Sequence, residues 1–276
     1  MKYQIFQNAK EMDNFLRKIP SKKSDNIEYG ILKKYKKNRI LFTAEHNVTS
    51  KIKTPRLGKE SFIKMGDKNT DKLALIMAYR IQSGFLMPRF SRVNADACRP
   101  INELGKNERL VVRVYNSDVK IIRFRIHKEK SHANSLVKYH SIIEKLNPKA
   151  LISVHGMREK RHPPDILLGF GKDYRIIGDI KKALKFKKLY KKNVDDVLKA
   201  LKIKNKLKIN ISKWLFTGEK NYVLKRHVID KKGFGIHVEF NKRGRIIDRE
   251  FIRKDYQIAS QVLADTILEW LENRKE

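Results

Sequence analysis

Short apolar runs alternate along this chain with longer stretches in which apolar residues return every third or fourth position. The short runs are Ile27–Leu32, Ile40–Ala44, Phe85–Phe90, Leu110–Tyr115, Val119–Ile126, Ala150–Val154, Ile166–Phe170, Ile209–Ile211, Tyr222–Leu224 and Gly235–Phe240. Their length and β-branched or aromatic content predict strands. Helical spacing appears over Glu11–Ile19, ended by Pro20, over Lys72–Ile81, over Ser135–Leu146, ended by Asn147-Pro148, and over Gln257–Leu271. A Lys-rich stretch from 173 to 207 is also helical in pattern, with Val194–Leu201 as its apolar stripe, while Lys51–Met65 reads as loop. Helix followed by strand, as in 135–146 into 151–155, is the unit of α/β folds. No internal repeat or low-complexity linker interrupts it. The pattern predicts an N-terminal extension over 1–38 and one α/β domain over 39–276, with a Lys-rich helical insertion around 172–208.

Two strands are near-continuously apolar and stop at a histidine. Ile40-Leu41-Phe42-Thr43-Ala44 ends in Glu45-His46-Asn47, and Ala150-Leu151-Ile152-Ser153-Val154 ends in His155-Gly156. Such strands are covered on both faces, and the carboxyl ends of strands in open α/β sheets are where sites form. Before the helix at 72–81, Thr70 or Asp71 serves as N-cap, which leaves Asp67 further upstream than a cap requires. Arg92, Asp96 and Arg99 form a polar cluster after the Phe85–Phe90 run, suited either to bidentate recognition of carboxylates or to a surface ion-pair ladder. Glu239 closes its strand.

The charge balance changes the picture of partners. Lys+Arg 64 against Asp+Glu 30 gives a formal net charge of +34, which favours anionic partners, whether small molecules, acidic peptides or nucleic acid. A Lys-rich surface also fits a thermophilic background. Cys98 is the single cysteine, so there is no disulfide framework and a reducing cytoplasm is expected. The first residues lack the apolar core of a signal peptide. No stretch approaches the ~20 consecutive apolar residues of a membrane-spanning helix, so no membrane partner is expected.

Collected, the strand-end and loop groups are His46, Asp67, Arg92, Asp96, Arg99, His155 and Glu239. Two histidines and a carboxylate are the donor set of a hydrolytic zinc site that keeps one position open for water. A further carboxylate can act as base on that water, and arginines can hold an anionic substrate. A nucleic-acid-binding protein on a degenerate hydrolase scaffold is the alternative, supported by charge but by no recognisable motif. A purely structural domain leaves the strand-end pattern unexplained.

Five blocks resemble the N-formylglutamate amidohydrolases, which stand with the zinc carboxypeptidase-like hydrolases, including poly-γ-glutamate hydrolases. They are Thr43-Ala44-Glu45-His46-Asn47, Asp67 to Ala74, Ser91 to Arg99, Leu151-Ile152-Ser153-Val154-His155 and Ile236-His237-Val238-Glu239, in preserved order across roughly 39–271. The third, similar to a Ser-Arg-Leu-x-x-Asp-x-Asn-Arg stretch, is the most specific. The resemblance implies a three-layer mixed twisted sheet with helices on both faces, of the zinc carboxypeptidase or phosphorylase-hydrolase kind. It implies one Zn2+ on His46, Asp67 and His155, Glu239 as base, and Arg92, Asp96 and Arg99 at a small anionic or acidic-peptide substrate whose C–N amide bond is cleaved. The chain departs from the pattern at three places: Asn69 stands for a glycine, Cys98 for an asparagine and Gly156 for a serine.

Overall fold

A computed structural model describes residues 2–48, 50–56, 59–90, 96–100, 108–113, 119–124, 130–157, 164–213, 217–231, 233–247 and 251–273. In chain order the elements are α1 (Ala9–Leu16), β1 (Lys22–Ser24), β2 (Ile27–Ile31), α2 (Tyr35–Asn38) and β3 (Ile40–Thr43). Next come β4 (Ser50–Arg56), β5 (Lys59–Met65), α3 (Thr70–Arg80), β6 (Gly84–Pro88), β7 (Glu108–Arg113) and β8 (Val119–Phe124). The second half holds α4 (Lys130–Leu146), β9 (Ala150–Met157), β10 (Ile166–Gly169), α5 (Ile180–Ala200), β11 (Ile209–Ile211), α6 (Tyr222–Leu224), β12 (Phe234–Asn241), α7 (Lys242–Arg245) and α8 (Lys254–Glu272).

Eight strands form one mixed sheet in the order β1-β2-β6-β3-β9-β12-β10-β11. Its centre, β6-β3-β9-β12, is parallel throughout, and antiparallel pairs flank it at β2/β6 and β12/β10. Successive residues of a strand face opposite sides, and here both sides are apolar. Ile40, Phe42, Phe85, Ile152, Val154, Ile236 and Val238 join α1, α3, α5 and α8 in one core. Leu41, Leu86 and Leu151 join α4 and α6 in the other. Each such side chain contributes roughly 1.5–3 kcal/mol on burial. A one-residue slip would exchange the two faces, so the register is fixed. This is the three-layer arrangement, helices on both faces of a mixed sheet, that the sequence implied.

The ends of the chain are built into the same body. Phe6, Met12, Leu16 and Ile19 lie in the larger core, and the side chains of Gln257 and Gln261 accept from the backbone N–H groups of Phe6 and Gln4. Within the Lys-rich stretch, α5 buries Phe186, Tyr190 and Val194 in that core.

Three local expectations fail. Residues 51–65 are no loop but the β4–β5 hairpin, with Ile52 opposite Ile63 and Lys51 opposite Lys64; dense lysines and Pro55 mask its alternation, and Pro55 sits near the end of its strand, where a missing donor costs least. Tyr222–Leu224 is a helical turn, because Asn221 accepts from the backbone N–H groups of Val223 and Leu224; three apolar residues have no periodicity of their own, so the cap decides. Finally, α3 is capped at Asn69, with φ 68 and no side-chain cap bond, rather than by Thr70 or Asp71. Thr70 Oγ1 instead donates to the Asp67 carbonyl, and Asp71 pairs with Arg89.

Candidate active site

Parallel β3, β9 and β12 lie side by side, so their carboxyl ends open on one place. The register sets Thr43 opposite Ser153, Ser153 opposite His237 and His155 opposite Glu239. Because side chains alternate, Ser153 and His155 share one face of β9, and His237 and Glu239 one face of β12. His46 follows β3 by a short turn. Beside them, residues 66–69 lead into α3, and the Asp67 N–H donates to the His46 carbonyl at 2.5 Å.

This brings His46, Asp67 and His155 together. Asp67 Oδ2 lies 3.2 Å from His155 Nδ1 and 3.6 Å from His46 Nδ1. Donors about 2.0–2.2 Å from a tetrahedral ion stand ~3.3–3.6 Å apart, so these spacings match edges of such a site. The opposite edges of both rings are engaged from behind. His46 Nε2 is 2.8 Å from Asp96 Oδ1, and His155 Nε2 is 2.9 Å from Ser153 Oγ and 3.3 Å from Glu45 Oε2. Carboxylates placed so hold a metal-ligating imidazole in orientation. The groups of three whose donor atoms all lie within 4.8 Å of one another are, among the described residues, His46 with Cys98 and His155, and His155 with His237 and Glu239; His46 and His155 are joined to Asp67 through the two distances above. The first is weaker, because Cys98 Sγ sits 3.8 Å from the His155 Nε2 edge that Ser153 already occupies.

His237 stacks on His155 with ring centroids 4.4 Å apart, and its Nε2 is 3.0 Å from Glu239 Oε1. The other oxygen, Glu239 Oε2, is buried without a hydrogen-bond partner among the described residues. Glu239, His155, Asp67 and His46 line a cavity of ≈ 640 Å³, rimmed by Arg99, Lys172, Lys213 and Lys220. An orphaned carboxylate oxygen beside two imidazoles and a second carboxylate is a chemistry that a divalent cation satisfies.

Electrostatics follow the same layout. Burial alone would raise the Asp67 pKa, but hydrogen bonds from His155 and His46 override it and hold the carboxyl far below its usual range. Glu45 is likewise lowered: burial opposes, and the contacts of His155 and Thr43 prevail. Burial disfavours a charged His155, yet Cys98, Asp67 and Glu45 together raise its pKa well above the histidine range. Of these, Asp67 and Glu45 supply the field, because burial pushes the Cys98 thiol up to about 12 and keeps it neutral.

Two departures from the family pattern meet at one residue. The Arg245 guanidinium lies against Gly156, where any Cβ would collide with it. Arg245 also donates to the carbonyls of Lys68 and Phe240, while its own carbonyl accepts from Asn69 Nδ2 at 2.9 Å. Asn69 holds φ 68, a left-handed conformation that asparagine tolerates after glycine. Gly156, Asn69 and Arg245 thus tie the segment carrying Asp67 to the strand ends.

Of the residues singled out from sequence, His46, Asp67, His155 and Glu239 converge. Asp96 lines the same cavity; it is 3% exposed, with Oδ1 2.8 Å from His46 Nε2. Arg99 lies exposed on the cavity rim. Arg92 lies outside the described residues. Glu45, Ser153 and His237 stand in the sequence blocks but carry no role there, and Asn221 stands in none; the period-2 spacing of Ser153 with His155, and of His237 with Glu239, is the signal that places them on the site's faces.

No protein-family model matches the chain, and no curated protein matches it by sequence. Solved structures do. A gene product from Agrobacterium tumefaciens is similar over 92% of this chain and 97% of its own, at 11% identity and a TM-score of 0.54. N-formylglutamate amidohydrolase from Ralstonia eutropha is similar over 91% of this chain and 99% of its own, at 10% identity and a TM-score of 0.53. The chain therefore has the fold of N-formylglutamate amidohydrolase, as the five sequence blocks implied.

Proposed function

We propose that the protein is a metal-dependent amidohydrolase that cleaves a C–N amide bond in a small anionic substrate, an N-acyl amino acid or a γ-glutamyl-type peptide. The observation that carries this reading is the Asp67 oxygen set between the Nδ1 atoms of His46 and His155, with the unpartnered Glu239 Oε2 in the same cavity. His46, Asp67 and His155 would hold one zinc ion, three protein donors with a position left open. Bound there, zinc supplies a Lewis acid for the amide carbonyl and brings the pKa of water toward ~7.

The remaining chemistry belongs to the chain. Glu239, pinned through Oε1 by His237, presents Oε2 to take a proton from water and return it to the leaving nitrogen. Asp96 keeps the His46 ring turned with Nδ1 toward Asp67. Arg99 and the lysines at the rim would hold the substrate's anionic end. Elemental analysis of purified protein, beside hydrolysis assays on N-acyl amino acids and γ-glutamyl peptides, tests this. About one zinc per chain and turnover of one such class are expected. Absence of bound metal after reconstitution overturns the proposal, and a metal-loaded protein inert to the whole panel overturns the substrate class.

A further inference from the structure

We propose that the outward face of α5 docks on a membrane surface: its lysines seat the headgroups of an anionic phospholipid bilayer, and Leu184 enters between them. No residue of α5 lines the cavity described above. Attachment is to the surface, since among the described residues no helix is long and apolar enough to cross a membrane.

Helix α5 turns Ala183, Phe186, Tyr190 and Val194 into the core. On the opposite side Lys181, Leu184, Lys185, Lys188 and Lys192 follow one another at i, i+3, i+4, i+7 and i+11, all exposed. The two halves of this face differ. Toward the C-terminus Lys191 pairs with Asp195 at 2.6 Å and Lys192 with Asp196 at 3.2 Å. Among the described residues no carboxylate pairs with Lys181, Lys182, Lys185, Lys187 or Lys188. Beyond the capping Asp179, the first turn holds no acidic residue, so Lys181 and Lys182 stand at the positive end of the macrodipole. Lys181 and Lys185 are also like charges one turn apart, as are Lys185 and Lys188. Both placements cost the free protein stability, and a negative surface laid against them reverses that cost.

Charge alone does not choose the partner; the neighbours of the lysines do. Of the five large apolar side chains exposed among the described residues, Ile180 and Leu184 lie in the first two turns of α5, at 47% and 52% exposure, and Leu201 stands at its C-cap. Two clefts run beside the helix. One, of ≈ 590 Å³, is lined by Leu184, Lys187, Lys188 and Lys191 and by the paired Asp195 and Asp196. The other, of ≈ 620 Å³, is lined by Lys182, Lys185, Leu189 and Trp270, with Glu269 as its one carboxylate. Ammonium groups above an apolar floor match a phosphate headgroup joined to acyl chains, because a lysine stem lies along apolar surface while its charge stays at the polar level. A nucleic-acid surface carries arginine and exposed aromatic rings instead. Helix α5 has no arginine, and its Phe186 and Tyr190 are buried.

The test is sedimentation of the full chain with vesicles of phosphatidylcholine alone and of phosphatidylcholine mixed with phosphatidylglycerol. Binding to the mixed vesicles only, weakening as salt rises, is expected. A lysine near an anionic surface contributes about fivefold in affinity, so Lys181→Glu/Lys185→Glu/Lys188→Glu should lose ~10²-fold or more. The same triple variant should be at least as heat-stable as wild type, because it places acidic side chains near the helix N-terminus. Lys33→Glu/Lys36→Glu/Lys37→Glu makes an equal charge change at exposed positions around α2 and should cost little binding. Leu184→Ser should weaken vesicle binding severalfold and leave its salt dependence as in wild type. Equal losses in the two triple variants mean bulk charge and overturn the α5 surface, as does a wild-type protein that binds no vesicle at low salt. Preference for an RNA oligonucleotide over the mixed vesicles, indifferent to Leu184→Ser, overturns the bilayer as the partner.

Discussion

His155 and His140 are both buried, at 4% and 1% exposure, and each stacks on a second histidine. His155 lies over His237 with ring planes 23° apart, and His140 over His227 with planes 20° apart. Their protonation goes opposite ways. His155 is raised well above the usual range by the carboxylates around it. Burial lowers His140 to about 4, with Arg226 pushing the same way. His227 is lowered to about 3 by burial, His140 and Arg226. Between themselves the pair shares one hydrogen bond, 2.9 Å from His140 Nδ1 to His227 Nε2. Each ring's other nitrogen has no hydrogen-bond partner among the described residues. Burial and stacking are common to both pairs, so neither marks a site. What separates them is company: Asp67, Glu45, Asp96 and Glu239 gather at the sheet edge, and among the described residues no carboxylate is bonded to the His140–His227 pair.

If carboxylate company is what makes one pair functional, removing it should cost activity at one pair and nothing at the other. The largest effect is expected at the proposed metal donors. His155→Ala should abolish zinc binding and reduce turnover to background, whereas His227→Ala should leave both intact in the fraction that folds; zinc content and kcat measured together would show it. Next comes Glu239→Gln, which keeps the donors and removes the base. It should retain zinc and lose ~10²–10⁴ in kcat, and unchanged turnover in the loaded variant would return Glu239 to a structural role. Asp96→Asn is smaller still. Zinc retention should fall ~10–100-fold with little change in kcat at saturating zinc, which would separate an orienting carboxylate from one that touches substrate.

The smallest effect belongs to the other pair and concerns stability alone. Both His140 and His227 have folded-state values below the unfolded value of about 6.5. As pH falls through 6.5 the unfolded chain takes up protons that the folded one refuses, so stability is full above that pH and declines toward pH 4. Each imbalanced imidazole contributes a slope of about 1.4 kcal/mol per pH unit. Urea denaturation of a His140→Gln/His227→Gln variant should show a shallower decline across that window than wild type. Parallel curves would mean the acid sensitivity lies elsewhere.

The strands that frame the site were readable as short, near-continuous apolar runs buried on both faces, and the helices by apolar residues that return at a period of 3.6. Helix α8, with its apolar stripe from Ile258 to Leu271, and β9, apolar until His155, are cases where local pattern and burial agree. The β4–β5 hairpin was not readable, since lysines on both strands leave little contrast between its faces. Tyr222–Leu224 turned on one asparagine side chain rather than on any period.

At the site the division is sharper. Sequence alone determined that His46 and His155 end apolar strands, that Asp67 stands clear of its helix, and that Glu239 closes a late strand, because these are statements about neighbours in the chain. Only the tertiary structure decided which edge of each imidazole faces Asp67, that Asp96 turns inward to His46, and that Glu45, Ser153 and Asn221 meet behind His155. Those contacts join residues 50, 88 and 108 positions apart. A hydrogen bond depends on distance and direction in space, and no spacing along the chain specifies either until the sheet has set its register.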